Sequence, residues 1–560
     1  MRTTRIPRLA VLAVAATALI GLVAGCSDSP PPAVDYVVDA TVDTYNANTV
    51  DGNAHGVLMA TTRMLPGFSY LGAAGQVTPD RDVGTVTRQP GSRLTLRYEF
   101  NPKAVFSDGQ PLDCDDLVLA WAAMSGRFEG FRPATTEGYR DIETVDCRPG
   151  DKAATVTFAP GRDDRNWAAL FGAGTMLPAH VVARAAGVAD VVAPIRAMNR
   201  GVIDKIANYW NTGFAVRPGG LDATVLPSSG PFRIDGHTGD GGLVLVRNDK
   251  WWGAAPATDR IVIWGRGTDV PQRLSEGRFD VTDVTAGLTG SPIGGSDSDS
   301  PQPEQAPGRA LGVEGLVLAE RGVFGDPAAR RAFASCVPRN ELARRFGSGA
   351  QMWNLRTVAP ADNLAGQING EFGREYNRVD TNRARRLLAG DGGTPRPIRV
   401  RIGYQAPAER WRQMVAAIAD SCRPAGITVD DASAPDLDPG ALGRQADALL
   451  VTNGASFSAA GAADPIRAAY QLRAGDPLNL GGYRDPQVSK AIDDLGVASL
   501  GTERLGLIRT IENGAWRDVP SIPLFAAPRE RRSSSAVGNV VPGLARNGTG
   551  WNMDRWTSNE

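Results

Sequence analysis

The sequence predicts an α/β fold, on three observations. Short β-branched runs alternate with helical segments along the chain, the pattern of helices crossing between strands. The composition is 42% hydrophobic and 22% charged, which suits a globular protein and excludes global disorder. No repeat of solenoid period interrupts the alternation. At 560 residues the chain has room for roughly two to four domains.

The elements follow in order. Residues 37–42 (VVDATV) read as the first strand, and 43–53 as a polar turn. Residues 92–100 (SRLTLRYEF) alternate as a strand does. Asp113 is placed to cap a helix through Leu117, Leu119, Ala120 and Trp121, with Asp115 and Asp116 favourable at its positive end. Two runs at 142–146 and 154–158 flank Arg148-Pro149-Gly150-Asp151, a hairpin signal. Short strands are expected at 230–234, 242–247 and 260–264, and 274–283 reads as a helix end and a strand. The Gly/Ser/Pro/Asp-rich stretch 286–307 reads as a mobile loop.

The second half is more helical. Asp326-Pro327 supplies a cap and a first-turn proline. Asp380 or Thr381 caps 383–389, and Gly390 stops it. In 407–422, Trp411, Met414, Val415, Ile418 and Cys422 fall on one face. Strands are expected at 397–403, 427–429 and 448–451, Asp464-Pro465 opens another helix, 504–516 is amphipathic, and 522–525 returns as a strand.

The front of the chain reads as an address. Arg2, Arg5 and Arg8 precede an apolar run at 9–24 that is short for a membrane span. It ends in Val23-Ala24-Gly25-Cys26, which resembles a bacterial lipobox, so 1–26 is expected to be a lipoprotein signal and Cys26 the lipid attachment site. Residues 27–35 (SDSPPPAVD) would be an extended tether. No later segment has 18 uninterrupted apolar residues, so a body held outside the membrane by lipid is expected. There thiols oxidise. Cys114, Cys147, Cys336 and Cys422 allow three pairings. Cys114–Cys147 and Cys336–Cys422 are favoured because each stays within one expected domain; a zinc site is disfavoured by spacing and by the scarcity of histidine.

Charge and motifs exclude more than they nominate. The net charge of -1 leaves no basic field for nucleic acid. Three histidines (His55, His180 and His237) leave no polyhistidine metal site, so neither metal nor cofactor is expected. There is no Gly-x-Ser-x-Gly, no His-Glu-x-x-His and no phosphate loop, and no pair of carboxylates is nominated locally. An enzyme is not expected, and no catalytic residue is assigned.

The order of motifs resembles the family 5 extracellular solute-binding proteins, the peptide- and nickel-type receptors of ABC importers. The resemblance rests on AVFSDGQPLDCDDLVLAW (104–121), SGPFRIDGHTGDGGLVLVRNDKWWGAAPATDRIVIW (229–264), LSEGRFDVTD (274–283) and FGDPAARRAFASCVPRNELA (324–343). NRARRLLAGDG (382–392), GITVD (426–430), GGYRDPQVSKAIDDL (481–495) and WRDVPSIPLF (516–525) complete it; Val337-Pro338-Arg339 departs from the family pattern. It implies a two-lobed periplasmic-binding-protein-like fold with an inserted subdomain and a hinge between lobes. Lobe I would be about 36–267, with the insertion near 80–210, lobe II 268–521, and 522–560 a return to lobe I.

For the site, the resemblance points to Tyr45 and Asn46 after the first strand and to Thr452, Asn453 and Phe457 after a lobe II strand. Ser229 lies in the 228–232 segment near the crossover, and Trp353 and Asn354 follow the GSGAQ loop. Each has a plainer reading, as polar turn, backbone shape or core. Trp251, Trp252 and Trp411 are assigned to packing. Peptide receptors of this family often place an aspartate after the lobe II strand to pair with the peptide ammonium. Here the first carboxylate is Asp464, which reads as a helix cap, so that anchor is in doubt.

The leading expectation is a lipid-anchored monomeric receptor delivering a peptide or similar solute to an ABC permease. The runner-up is a non-transport member that binds a cell-envelope glycolipid and regulates envelope biosynthesis. A nickel or haem receptor is weaker, since the histidines are scattered.

Overall fold

The structure, a computed structural model, describes residues 33–222, 224–286, 312–390, 393–453, 455–458, 464–499 and 501–558. The expected signal at 1–26 with Cys26, most of the tether and most of the 286–307 loop lie outside the described residues.

The first sheet is built around Val34–Val38, which runs parallel to Arg260–Trp264 on one side and Val281–Thr285 on the other. Arg529–Ser533 closes one edge, and Leu243–Arg247 and Phe232–His237 extend the other, antiparallel. The opening strand was expected at 37–42. It starts at Val34, in register with Ile261, and stops at Val38 because Asp39 leaves the ladder. The Asp39 carboxylate accepts the Thr285 N–H at 3.0 Å and its carbonyl accepts Arg266 Nε at 2.7 Å.

Between the strands of this sheet the chain inserts a second, antiparallel sheet in the order Gly84–Arg88, Thr95–Phe100, Ala153–Phe158, Ile142–Asp146. The last two form the expected hairpin. Helix Cys114–Met124 packs on it, its N-terminus held by Asp113, which accepts the Asp115 N–H at 3.0 Å while Asp116 accepts the Asp113 N–H. That reciprocal arrangement satisfies two otherwise orphaned donors.

The second lobe is built on a five-stranded sheet in the order Ile427–Asp431, Ile398–Gly403, Ala448–Thr452, Val313–Leu318, Ser521–Ala526. Two strands pair across the expected boundaries. Val281–Thr285 belongs to the first sheet, not to a second lobe beginning at 268, because it pairs with Tyr36–Val38. Ser521–Ala526 belongs to the second sheet, not to the return, because it pairs with 313–317. The chain therefore changes sheet within 286–312 and again at 527–528. The two crossings are hydrogen-bonded to each other, Ala286 N–H to Pro528 O at 3.0 Å and Ala527 N–H to Gly312 O at 2.8 Å.

The second lobe buries one extensive apolar core around Phe333, Trp411, Ile418, Leu449 and Ile522. A charged hub sits inside it: Glu512, fully buried, accepts from the Arg356 and Thr357 N–H groups at 2.6 and 2.9 Å and from Arg356 Nη1 at 3.2 Å. The disulfides are Cys114–Cys147 and Cys336–Cys422, the favoured pairing. The second joins helices Pro327–Cys336 and Glu409–Cys422.

Candidate functional site

A cavity of about 800 Å³, part of it open to solvent, lies where the two lobes meet. The first lobe lines it with Ala47, Asn48, Val77, Glu137, Tyr139 and Asn166, the second with Asp464 and Arg467, and the C-terminal segment with Arg546. A second cavity of about 520 Å³ lies between Gly52, Gly56 and Leu58 of the first lobe and Thr452, Asn453 and Ser456 of the second. Ala47, Arg467 and Arg546 line both.

Local chemistry explains how the walls are held. Asp464 caps the short helix Pro465–Ala469, Oδ1 accepting the Ile466 N–H at 2.9 Å. Proline follows the cap, where a backbone N–H is dispensable. The other Asp464 oxygen accepts from Asn166 Nδ2 of the facing lobe. Arg467 projects from the same helix and donates to Asn53 Oδ1 at 3.1 Å. Gly56 has φ +72°, and a Cβ there would fall 2.5 Å from Ser458 Oγ, so glycine permits both the turn and the close approach of the lobes.

The cavity is electrostatically mixed. Burial pushes the Glu137 carboxyl up to about 8, reinforced by repulsion from Asp464 and Asp164. Burial raises Asp464 too, and Asp164 to about 7. Opposite them, burial and then the neighbouring charge of Arg467 lower the Arg546 guanidinium to about 9. Desolvation disfavours the charged form of each group, so acids move up and bases down.

The lobes touch along the whole cleft. Thr136 donates to Asp476, Arg140 Nη1 to Asp493 Oδ1 at 2.8 Å, and the Arg165 N–H to Gly496 O at 2.9 Å. At the other end the Phe457 N–H donates to Ala54 O at 2.8 Å. These bonds hold the two lobes in direct contact.

The sequence-nominated residues fare unevenly. Tyr45 is fully buried, packs on Phe214 with ring centroids 5.8 Å apart and donates its hydroxyl to Pro227 O. Asn46 donates to Trp210 O at 2.9 Å and accepts the Asn48 N–H, so it shapes the turn under Ala47 instead of facing the cavity. Ser229 is fully buried beside the 232–237 strand. Trp353 donates Nε1 to Val358 O at 3.1 Å in the second-lobe core, and Asn354 is held by Asn369 and Arg339. None of these five lines either of the two interlobe cavities. Thr452 and Asn453 do line the smaller one; Asn453 has φ +47° and accepts the Val313 N–H at 2.8 Å. Phe457 is in the core and meets the first lobe through its backbone. The rings of Trp251 and Trp252 meet at a tilt with centroids 4.5 Å apart and donate to Ala254 O and Asp82 O; Trp411 is in the core. Sequence reading missed Glu137, Asn166, Arg467 and Arg546. Only Arg467 had a local signal, three residues after Asp464 on the same turn.

Comparison with known proteins decides the family. The model of the bacterial extracellular solute-binding proteins, family 5 (middle region), matches residues 91–460. The chain belongs to this family. This family 5 protein is 39% identical over 560 residues to an uncharacterized lipoprotein of Mycobacterium tuberculosis, covering 99% of this chain and 98% of the relative. It is 26% identical over 525 residues to the oligopeptide-binding protein OppA of Mycobacterium tuberculosis, covering 90% and 81%. Among solved structures, the periplasmic EDTA-binding protein EppA superposes with TM-score 0.73 at 18% identity over 94% of this chain and 97% of that one. An oligopeptide-binding protein from Thermus thermophilus, complexed with a pentapeptide, gives 0.73 at 15% over 93% and 96%. The fold is thus the mixed α/β fold of the periplasmic binding proteins. Among the described residues no helix is long and apolar enough to cross a membrane, and no group of three or more His, Cys, Asp or Glu is placed to hold a metal ion.

Proposed function

We propose that the protein is a lipid-anchored, monomeric receptor that binds a peptide or peptide-like solute between its lobes and delivers it, chemically unchanged, to an ABC permease. The observation that carries this reading is the 800 Å³ cavity walled by residues of both lobes. Interdomain clefts are a favoured place to bury a ligand, and closure of two lobes on it is hinge motion. The paired bonds of Ala286 to Pro528 and of Ala527 to Gly312 suit a hinge, with lobe I on the first sheet and its insertion, and lobe II on the second. The relative named for oligopeptide binding supports the ligand class. Cys26 supplies the anchor on the outer face of the cell membrane, in keeping with the lipoprotein relatives.

One observation favours the second reading, a non-transport member binding a cell-envelope glycolipid. Asp464, the first carboxylate after the lobe II strand, already has one oxygen on its helix cap and the other on Asn166. Native mass spectrometry of the protein purified from its own host separates the two readings. A ladder of peptide masses supports import of peptides; a mannosylated or acylated ligand supports the second.

A further inference from the structure

Three carboxyl groups, drawn from both lobes, converge on one asparagine. Asn166 of the first lobe donates Nδ2 to Asp464 of the second and, at 3.5 Å, to Glu137 Oε1 of its own lobe. The Asn166 N–H donates to Asp164 Oδ1 at 2.8 Å, and the other Asp164 oxygen is buried without a hydrogen-bond partner. Glu137 is itself buried, and among the described residues the long bond from Asn166 is the one hydrogen bond its side chain makes. A carboxylate with a single weak donor, shared with a second carboxylate, is costly to ionise away from water; the protonated acid is not.

Other charges face Glu137 from each element packed against it. Asp164 and Tyr139 belong to its own lobe, Asp464, Arg467 and Tyr470 to the second lobe, and Arg546 to the C-terminal segment. Farther out, Arg504 bears on Asp464, and Arg162, paired with Asp141, bears on Asp164. Among the described residues none of the arginines forms an ion pair with Glu137 or Asp464. Burial and the two aspartates outweigh them, so Glu137 stands above its ordinary range. Parting of the lobes would remove both causes, since Asp464 leaves with the second lobe and water reaches Glu137.

We propose that contact between the lobes is coupled to uptake of a proton by the Glu137–Asp464 pair, so that the cleft is held shut at acid pH and loosens as pH rises. This goes beyond the ligand reading and needs only that the lobes can part. The sign follows from the raised carboxyl belonging to the joined form. Its preference for contact is complete below the ordinary 4.5 and is lost as pH rises through about 8. One proton taken up on joining changes the ratio of joined to parted molecules by about tenfold per pH unit within that window. A receptor built this way holds its ligand more tightly at an acid outer surface and releases it as the pH climbs.

The test is hydrogen exchange on the full chain in detergent, read by mass spectrometry between about pH 5.5 and 7.5 and corrected for the intrinsic exchange rate. Two amides report parting of the lobes, Arg165 N–H on Gly496 O and Phe457 N–H on Ala54 O, because both bonds cross the boundary. Their protection in wild type should fall by roughly tenfold per pH unit. Glu137→Gln, which keeps the shape and cannot ionise, should flatten that slope; Glu137→Asp, which still ionises, should keep it. The proposal is overturned by a flat wild-type slope, by a slope that survives Glu137→Gln, by one that Glu137→Asp loses as fully as Glu137→Gln, or by two amides unprotected even at the acid end. Small-angle scattering of Asp476→Ala, which breaks a different interlobe contact, tests the hinge separately. A larger radius of gyration beside a flat exchange slope keeps the hinge and sinks the proton link. An unchanged radius beside a slope that Glu137→Gln removes keeps the proton link and sinks the wide hinge motion.

Discussion

Asp476 of the second lobe accepts two hydrogen bonds from Thr136 of the first, from its N–H at 2.9 Å and its hydroxyl at 2.7 Å. Asp476 is buried at this contact. Its other oxygen accepts the Leu478 N–H at 3.0 Å and so fixes its own turn. The clasp therefore joins two rigid pieces, and charge-assisted bonds are the stronger kind. Asp476→Ala should favour the open form by about 1–3 kcal/mol. Thr136→Ala, which spares the Asp476 turn, should act in the same direction more weakly. Small-angle scattering should report a larger radius of gyration for both, and stopped-flow faster ligand release. An unchanged radius in Asp476→Ala would show that this contact does not hold the lobes shut.

The acid cluster in the cleft makes stability depend on pH. Glu137 is held near 8 in the folded protein, against an ordinary 4.5, chiefly by burial. A carboxyl raised on folding contributes its full stability below about pH 4.5 and loses it as pH rises through about 8, because the unfolded chain ionises first. Asp164, near 7, acts in the same sense. Glu137→Gln should leave the melting temperature unchanged relative to wild type at pH 4 and raise it at pH 9. Parallel curves for the two proteins across that range would refute the assignment.

Local chemistry was legible in the sequence; pairing at a distance was not. Asp113, Asp326 and Asp464 cap the helices they were read to cap, because a cap is decided within three or four residues. The strand at 281–285 and the one at 521–526 were expected, but their partners were not. Nothing in VTDVT or SIPLFA says which neighbour it will pair with. The cavity was harder still. Its wall is assembled from Ala47, Val77, Glu137, Asn166, Asp464 and Arg546, and no spacing connects them. Tyr45 and Asn46 were nominated because they follow the first strand. Burial and hydrogen bonds to Pro227 and Trp210 give them to the scaffold that carries Ala47.

The disulfides should differ in weight. Cys336–Cys422 spans 86 residues and Cys114–Cys147 spans 33. Cross-linking a longer loop removes more freedom from the unfolded chain in the chain-entropy account. Cys336 and Cys422 are fully buried between two helices of the second-lobe core, so the packing there depends on the bridge as well. Cys336→Ser should lower unfolding stability by roughly 2–4 kcal/mol in denaturant titrations. Titrating thiols on the denatured, unreduced wild type should find none among these four cysteines; four titrating thiols would remove the premise.

Asp464 has two tasks in the closed molecule, and substitutions separate them from a third. Asparagine caps helices as well as aspartate does, so Asp464→Asn should keep the Ile466 N–H satisfied, and a turned Asn166 amide can meet the new side chain. Its stability should match wild type, whereas Asp464→Ala should lose about 1 kcal/mol. Both oxygens being engaged already, Asp464→Asn should also leave the affinity for a free-amine peptide within about threefold. A loss of tenfold or more, absent for the N-acetylated peptide, would mean that the carboxylate abandons Asn166 to take an ammonium. The paired comparison matters because either variant could loosen the interlobe contact. Only a change that depends on the charge of the peptide terminus reports on the anchor.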